Sequence, residues 1–330
     1  MTKKFVWIFN TLVIIVFAVV MLDFFGVTGS KNEVTVQISE GDGISVISEK
    51  FHKENIVISK NLFNLFCKIG KSNINVTPGT ITVNSKMSYK ELAEAIEKVS
   101  DSHITVTIPE GFETREIADR LVSNDILKDE GEFFEALKNY TLVLDDGTEI
   151  RGEENSLSGF LFPDTYNFYD FSEPNEVIEI MTSNFKKHWL SDYTKRCNEL
   201  GMTVNEAIVL ASIIEREGNN EMDFRLVSSV FHNRLKKGMK LESCATVQYI
   251  LSERKPVLSV SDTKIKSPYN TYLNVGLPPA AIASPGLMAI EAALYPEESD
   301  YLFFFTDKNG DTHFTHTLEE HNSLINKYGL

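Results

Sequence analysis

The chain has 330 residues, 42% of them apolar and 24% charged, which is the make-up of a folded globular protein. Its net charge of −15 argues against nucleic acid and against broad adhesion to anionic lipid or wall polymers, and otherwise serves solubility. Cys67, Cys197 and Cys244 are scattered and odd in number, so they imply no disulfide framework, and the absence of CxxC excludes a zinc ribbon.

Lys3 and Lys4 precede an apolar run, Phe5–Leu22, interrupted only by Asn10 and Thr11. As a helix that run would cover about 27 Å, close to the hydrocarbon thickness of a bilayer. The lysines predict an inside N-terminus and an outside remainder. A cleaved signal peptide is the competing reading, but its apolar region would be shorter and the following residues make a poor cleavage site. A polar linker, residues 28–33, follows.

An internal duplication comes next. Val34–Gly41 aligns without gaps on Ile104–Gly111, an offset of 70 residues, and the match continues through Ile47 and Ile117, Ile56 and Ile126, and Phe63 and Phe133. Each copy reads as an alternating strand, a Glu-Gly turn and an amphipathic helix. Gly79–Val83 and Ser88–Val99 form another strand–helix unit between them. Gly70-Lys71-Ser72 fails as a phosphate loop, because Leu65 stands where its first glycine must be.

Residues 140–158 are acidic and loop-like. Gly159–Phe168 is rich in aromatics around a Pro-Asp turn, and its rings suit either sugar stacking or core packing. Glu176–Leu200 predicts one long helix carrying Trp189. Thr203 and Glu206 have capping-box spacing, and the apolar run after them predicts a buried helix over Val204–Glu217, with Gly218 turning left-handed behind it. Glu217 falls beyond Ile213 and Ile214 on the face of Leu210; Glu215 falls on the less apolar side. Desolvation on the oily face would raise the Glu217 carboxyl and suit it to general acid work. A plain solvated helix end is the simpler alternative for both glutamates. A second helix over Asp223–Lys237 should end at Gly238, with Phe224, Val227, Phe231 and Leu235 in the core. Beyond Lys255 the chain turns loop-rich; prolines fix extended paths that present Asn, Thr and Tyr. A short helix over Leu287–Leu294 and a hairpin of Tyr301–Thr306 with Thr312–Phe314 close the sequence.

The segments Ala211–Glu217, Val230–Leu235, Gly238–Leu241, Thr246–Tyr249, Gly159–Tyr166, Tyr269–Tyr272, Gly276–Pro279, Ile282–Gly286 and the His313-Phe314…His321-Asn322 tail together resemble the endolytic murein transglycosylases, the YceG-like family. The resemblance spans nearly the whole chain in order. It implies that Glu217 is the catalytic acid and that Asn233, Thr246, Gln248, Tyr249, Asn270 and Tyr272 bind substrate. It also implies a glycan-binding, LysM-like part, although no aromatic platform is evident there. The expected fold class is α+β: an anchor over residues 1–27, a small LysM-like α/β subdomain over 28–103 and a larger α+β catalytic domain over 104–330. No cofactor or metal is expected. The implied partners are peptidoglycan glycan strands and wall-synthesis enzymes of elongation or division, at the outer face of the plasma membrane.

A single acid suffices for a lytic transglycosylase, whereas glycoside hydrolysis takes two carboxylates. Glu215, Glu221, Asp223 or Glu242 could supply a second group, so hydrolysis stays open. So does a non-catalytic wall-binding scaffold. A zinc hydrolase built on His313, His316 and His321 with Glu319 and Glu320 is disfavoured, because i and i+3 on a strand face opposite sides. Relatives carry Asp-Pro where this chain has Cys244-Ala245, so an aspartate there is not needed for the chemistry. Cys244 reads either as a reactive thiol near the groove or as a small buried residue, the second being the simpler.

Overall fold

The computed structural model describes the chain except residues 1, 28–29, 40, 71–73, 75, 99–102, 153–156, 219–220, 252, 256 and 329–330, and except the side chains of 2–6, 8–10, 12, 16, 70 and 221. The turn residue Glu40, most of the failed phosphate loop and residues 153–156 of the acidic stretch lie outside the described residues; the rest of that stretch, expected as loop, carries two short paired strands, Thr141–Val143 and Glu149–Arg151. The chain divides into two compact bodies: Met1–Ile104 with Asn167–Ser172, and Thr105–Tyr166 with Glu173–Leu330. Among the described residues every sheet has two strands, so helices supply most of the packing surface.

The first body carries α1 (Thr2–Phe24), β1 (Val34–Ile38), α2 (Ile44–Lys53), α3 (Lys60–Gly70), β2 (Gly79–Val83) and α4 (Tyr89–Glu97). β1 and β2 pair antiparallel, with Val34 opposite Val83 and Ile38 opposite Gly79. Strand alternation sends Val36, Ile38, Ile81 and Val83 inward onto Ile47, Phe51, Phe63, Tyr89, Leu92 and Ile96. Each fully buried phenylalanine contributes about 2–3 kcal/mol. Ser88 and Glu91 cap α4 reciprocally. Among the described residues no single helix is long and apolar enough to cross a membrane, and the apolar helix recognised at this end is Val13–Phe24. α1 itself runs 23 residues, or about 34 Å, and holds the Phe5–Leu22 run.

Past Ile104 the chain enters the second body, with β3 (Ile104–Thr107), α5 (Thr114–Ser123), α6 (Glu130–Asn139), β4 (Thr141–Val143), β5 (Glu149–Arg151) and β6 (Thr165–Phe168), whose last two residues belong to the first body again. Its helices repeat those of the first body at the same offset of 70, and so do the bonds that shape them. Lys50 donates to Gln37 O and Arg120 to Thr107 O. Ile56 N–H reaches Phe51 O as Ile126 N–H reaches Leu121 O. Asn55 and Asp125 take φ of 56° and 57°, a left-handed stop that short polar side chains tolerate.

Then come α7 (Pro174–His188), α8 (Ser191–Leu200), α9 (Val204–Glu217), α10 (Glu221–Lys236), α11 (Cys244–Ile250), α12 (Leu287–Leu294), β7 (Phe303–Thr306), β8 (Thr312–Thr315) and α13 (Leu318–Tyr328). α9 is the hub, packed on α12, α10 and α11. The expected long helix over Glu176–Leu200 is instead two. The chain leaves the helix at Trp189, whose ring lodges between Phe185 and Tyr193 and whose N–H bonds Thr194 Oγ1 at 3.0 Å. The two later helices end as glycine predicts in one case only. Gly238 is left-handed at φ 65° and closes α10 with bonds from its own N–H to Leu235 O and from Met239 N–H to Arg234 O. Gly218 is extended, φ −88° and ψ 158°. Glycine is required there for space: a Cβ would lie 2.0 Å from the Phe224 ring.

Candidate active site

The last turn of α9 reaches three different chain segments with three consecutive side chains. Glu215 Oε2 accepts from Gly286 N–H at 2.9 Å, at the start of α12. Arg216 donates to Gly111 O at 2.9 Å, on the turn after β3. Glu217 Oε1 accepts from Ser243 Oγ at 2.5 Å and from Ala245 N–H at 3.1 Å, at the N-terminus of α11. The turn at Gly111 is in turn laced to the segment before α12, through Gly111 N–H to Ser284 O and Ser284 N–H to Phe112 O. The end of α9 therefore fixes three loops that are distant in sequence.

Burial pushes the Glu217 carboxyl up, against the opposing pull of Ser243, the α11 amides and Arg216. Desolvation wins, which is the direction a general acid needs. Glu215 is not the solvated counterpart that its helix face suggested. Burial, with Glu110 close by, pushes it up to about 7, against Gly286 N–H and Arg216. The helix-face argument fails because α12 and the Gly111 turn cover the side it took to be open. What separates the two glutamates is their surroundings: Glu215 is spent on Gly286, whereas Glu217 lies beside an exposed thiol and a phenol.

That thiol is Cys244, exposed rather than buried as expected, with Sγ 3.2 Å from Tyr272 OH. Although Cys244 reaches the surface, the chain packed around the pair partly strips both groups of water and pushes both up, and the charge of Glu217 adds to each. Beneath them, Ser243 N–H donates to Thr271 Oγ1 at 3.0 Å, and the Thr246 hydroxyl bonds Ser243 O and Thr271 Oγ1, each at 2.8 Å. Thr246 and Asn270 are fully enclosed. Asn270 donates to Thr263 O and Ile265 O and accepts from Tyr272 N–H, so its amide ties one loop to itself. Gln248 exchanges two bonds with the Lys255 main chain at 2.6 and 3.0 Å. Asn233 donates to Ser299 O and Tyr301 O. The Tyr249 ring packs tilted against Tyr269, centroids 4.9 Å apart, and burial pushes its phenol up to about 12.

Of the six residues expected at the substrate, only Tyr249 and Tyr272 present partly exposed rings. Asn233, Thr246, Gln248 and Asn270 spend their polar groups on the fold. Ser243 escaped the sequence reading, and no local signal marks it, since its hydroxyl bonds Glu217 rather than capping α11. The tail histidines do not converge. His313 Nε2 bonds Asp307 at 2.9 Å, His316 pairs with Asp300, and His321 packs on Phe303 and Phe305. Among the described residues no three His, Cys, Asp or Glu side chains gather as a metal site.

A model of the YceG-like family matches residues 36–327. The chain is 30% identical over 310 residues to a Bacillus subtilis protein named endolytic murein transglycosylase, covering 91% of this chain and 86% of that one. A Streptococcus pneumoniae protein of the same name is 30% identical over 323 residues, and the match covers 90% of this chain but only 58% of the pneumococcal one. A crystal structure of a putative YceG-like protein from Listeria monocytogenes superposes with a TM-score of 0.59 at 31% identity, over 89% of this chain and all of that one. The chain belongs to the YceG-like family.

Proposed function

We propose that the protein is an endolytic lytic transglycosylase that cuts the MurNAc–GlcNAc β-1,4 bond of nascent peptidoglycan strands, with Glu217 as acid and then base. The observation that carries the reading is the desolvated Glu217 carboxyl, held by Ser243 and the α11 amides beside Tyr272. The names of the relatives supply the substrate class. Glu217 protonates the leaving O4 as the C1–O4 bond breaks. The C6 hydroxyl of the same MurNAc closes on C1 and returns its proton to Glu217, and no water is consumed. The intramolecular nucleophile replaces the second carboxylate of a hydrolase.

In this reading Tyr249 and Tyr272 contact the glycan. Asn233, Thr246, Gln248 and Asn270 bind substrate only indirectly, by holding the loops that do. Residues 1–27 anchor the protein in the plasma membrane with the N-terminus inside, 28–103 form the LysM-like part and 104–330 the catalytic part on the outer face. Tethering would confine the cut to newly exported strands, beside the wall-synthesis enzymes.

Mass spectrometry of products from uncrosslinked strands tests the chemistry. Wild type should leave 1,6-anhydroMurNAc ends, and Glu217→Gln should lose about 10²–10⁴-fold or more in rate. Reducing ends would make the enzyme a hydrolase, and normal cutting by Glu217→Gln would sink the assignment.

A further inference from the structure

Ser243 is buried, 3% exposed, and every polar atom of it is used. Its N–H donates to Thr271 Oγ1, its carbonyl accepts from the Thr246 hydroxyl, and its own hydroxyl donates to Glu217 Oε1 at 2.5 Å. The same Oε1 takes Ala245 N–H at 3.1 Å. A hydroxyl fixed on both sides of its main chain cannot follow a wandering carboxylate, so it dictates where Oε1 sits. To reach this place the chain passes through Glu242 at φ 53°, a left-handed bend that a residue with a side chain adopts only when its surroundings impose it.

We propose that Ser243 is a positioning residue for the reaction: it pins Oε1 of Glu217, leaves Oε2 as the oxygen that carries the proton to the glycosidic bond, and keeps the ionised form accessible for the return step. This rests on Glu217 being the acid–base group. A carboxyl with one oxygen pinned by two donors delivers its proton from the other, in one direction only, which is the preorganisation an oriented glycosidic oxygen requires. The Ser243 hydroxyl also offsets part of the desolvation of Glu217, so the group can leave the protonated state and take up the C6 hydroxyl proton afterwards. The sign follows. Removing a donor to the ionised form raises the carboxyl further, and the loss of acid form with rising pH should begin at higher pH.

The test compares kcat, KM and the pH profile of full-length wild type, Ser243→Ala and Ser243→Thr on uncrosslinked strands. Ser243→Ala should lower kcat by about 10- to 100-fold, leave KM within about twofold and move the alkaline limb of kcat to higher pH. Ser243→Thr keeps the hydroxyl and should restore both rate and limb. An Ala variant with the wild-type limb overturns the proposal, whatever its rate. Equal losses in Ala and Thr, with the limb unmoved in both, would mean a purely structural serine and also overturn it. If Ser243→Ala does not fold, Ser243→Cys, a weak donor of similar size, takes its place: a shifted limb supports the proposal and an unshifted one overturns it. Glu217→Gln run alongside separates the two claims, since normal cutting by that variant removes the acid itself rather than its support.

Discussion

Glu215 sits where its ionised form is poorly solvated, and this gives its carboxyl a thermodynamic signature. Its value of about 7 in the folded chain lies above the ordinary 4.5. The folded state therefore holds this proton more tightly than the unfolded chain. The stability it confers is complete below about pH 4.5 and is lost as pH rises through about 7; the full difference is at most about 3 kcal/mol. Glu215→Gln keeps an acceptor for Gly286 N–H and removes the titration. Between pH 5 and pH 8 the melting temperature of this variant should gain on that of wild type. Parallel melts across that range would show that Glu215 is well solvated. The variant should cut strands far better than Glu217→Gln, because Glu215 Oε2 faces a backbone amide rather than the glycan.

At the scale of elements, α10 works as a stitch. Asn233 was expected at the substrate, yet it and its neighbours His232 and Arg234 all bond main chain from elsewhere. His232 bonds Ala293 O at 2.8 Å, and Asn233 takes Ser299 O and Tyr301 O. Arg234, 5% exposed, donates to Leu302 O, Lys240 O, Leu241 O and Glu242 Oε2, with its guanidinium over the Phe303 ring. Only a planar fork reaches that many acceptors. Arg234→Lys should cost about 3 kcal/mol in urea unfolding, and by loosening the Glu242 bend it should slow turnover as well. A variant as stable as wild type would show the stitch to be dispensable. The same comparison shows what was legible here. α9 could be read to the residue because Thr203 and Glu206 bracket an unbroken apolar run. α11 could not, because seven residues with no surface of their own take helical form from what they pack on. The break at Trp189 was equally hidden, since it depends on where one indole fits rather than on glycine or proline.

Over the whole molecule, the duplication was the most readable feature, because a gapless offset preserves both the apolar period and the turn residues. Its two copies keep the same helix stops and the same cation-to-carbonyl bond. Which oxygens ended up facing Glu217 was not readable, since three loops far apart in sequence converge on one helix turn. At the N-terminus the packing adds what composition could not. The end of α1 is built into the first body. Asp23 accepts from Ile58 N–H at 2.9 Å and from the Tyr89 hydroxyl, and the Phe24 ring packs against Phe66 and Tyr89. Gly26 follows at φ 62°, so close to Lys86 that a Cβ would lie 2.3 Å from its carbonyl oxygen. A processing peptidase needs extended, accessible chain, and Leu22–Gly26 offers helix and a packed turn instead. The proposed anchor should therefore be retained: intact mass of the protein extracted from membranes should include α1, and a C-terminal reporter should be active only outside the cytoplasm. A mature N-terminus beyond residue 25, or a reporter active only inside, would overturn the anchor. Tyr89→Phe sharpens the test. If the Asp23 contact shields the junction, this variant should be nicked there by added protease faster than wild type, and equal rates would mean that the contact does not close the junction.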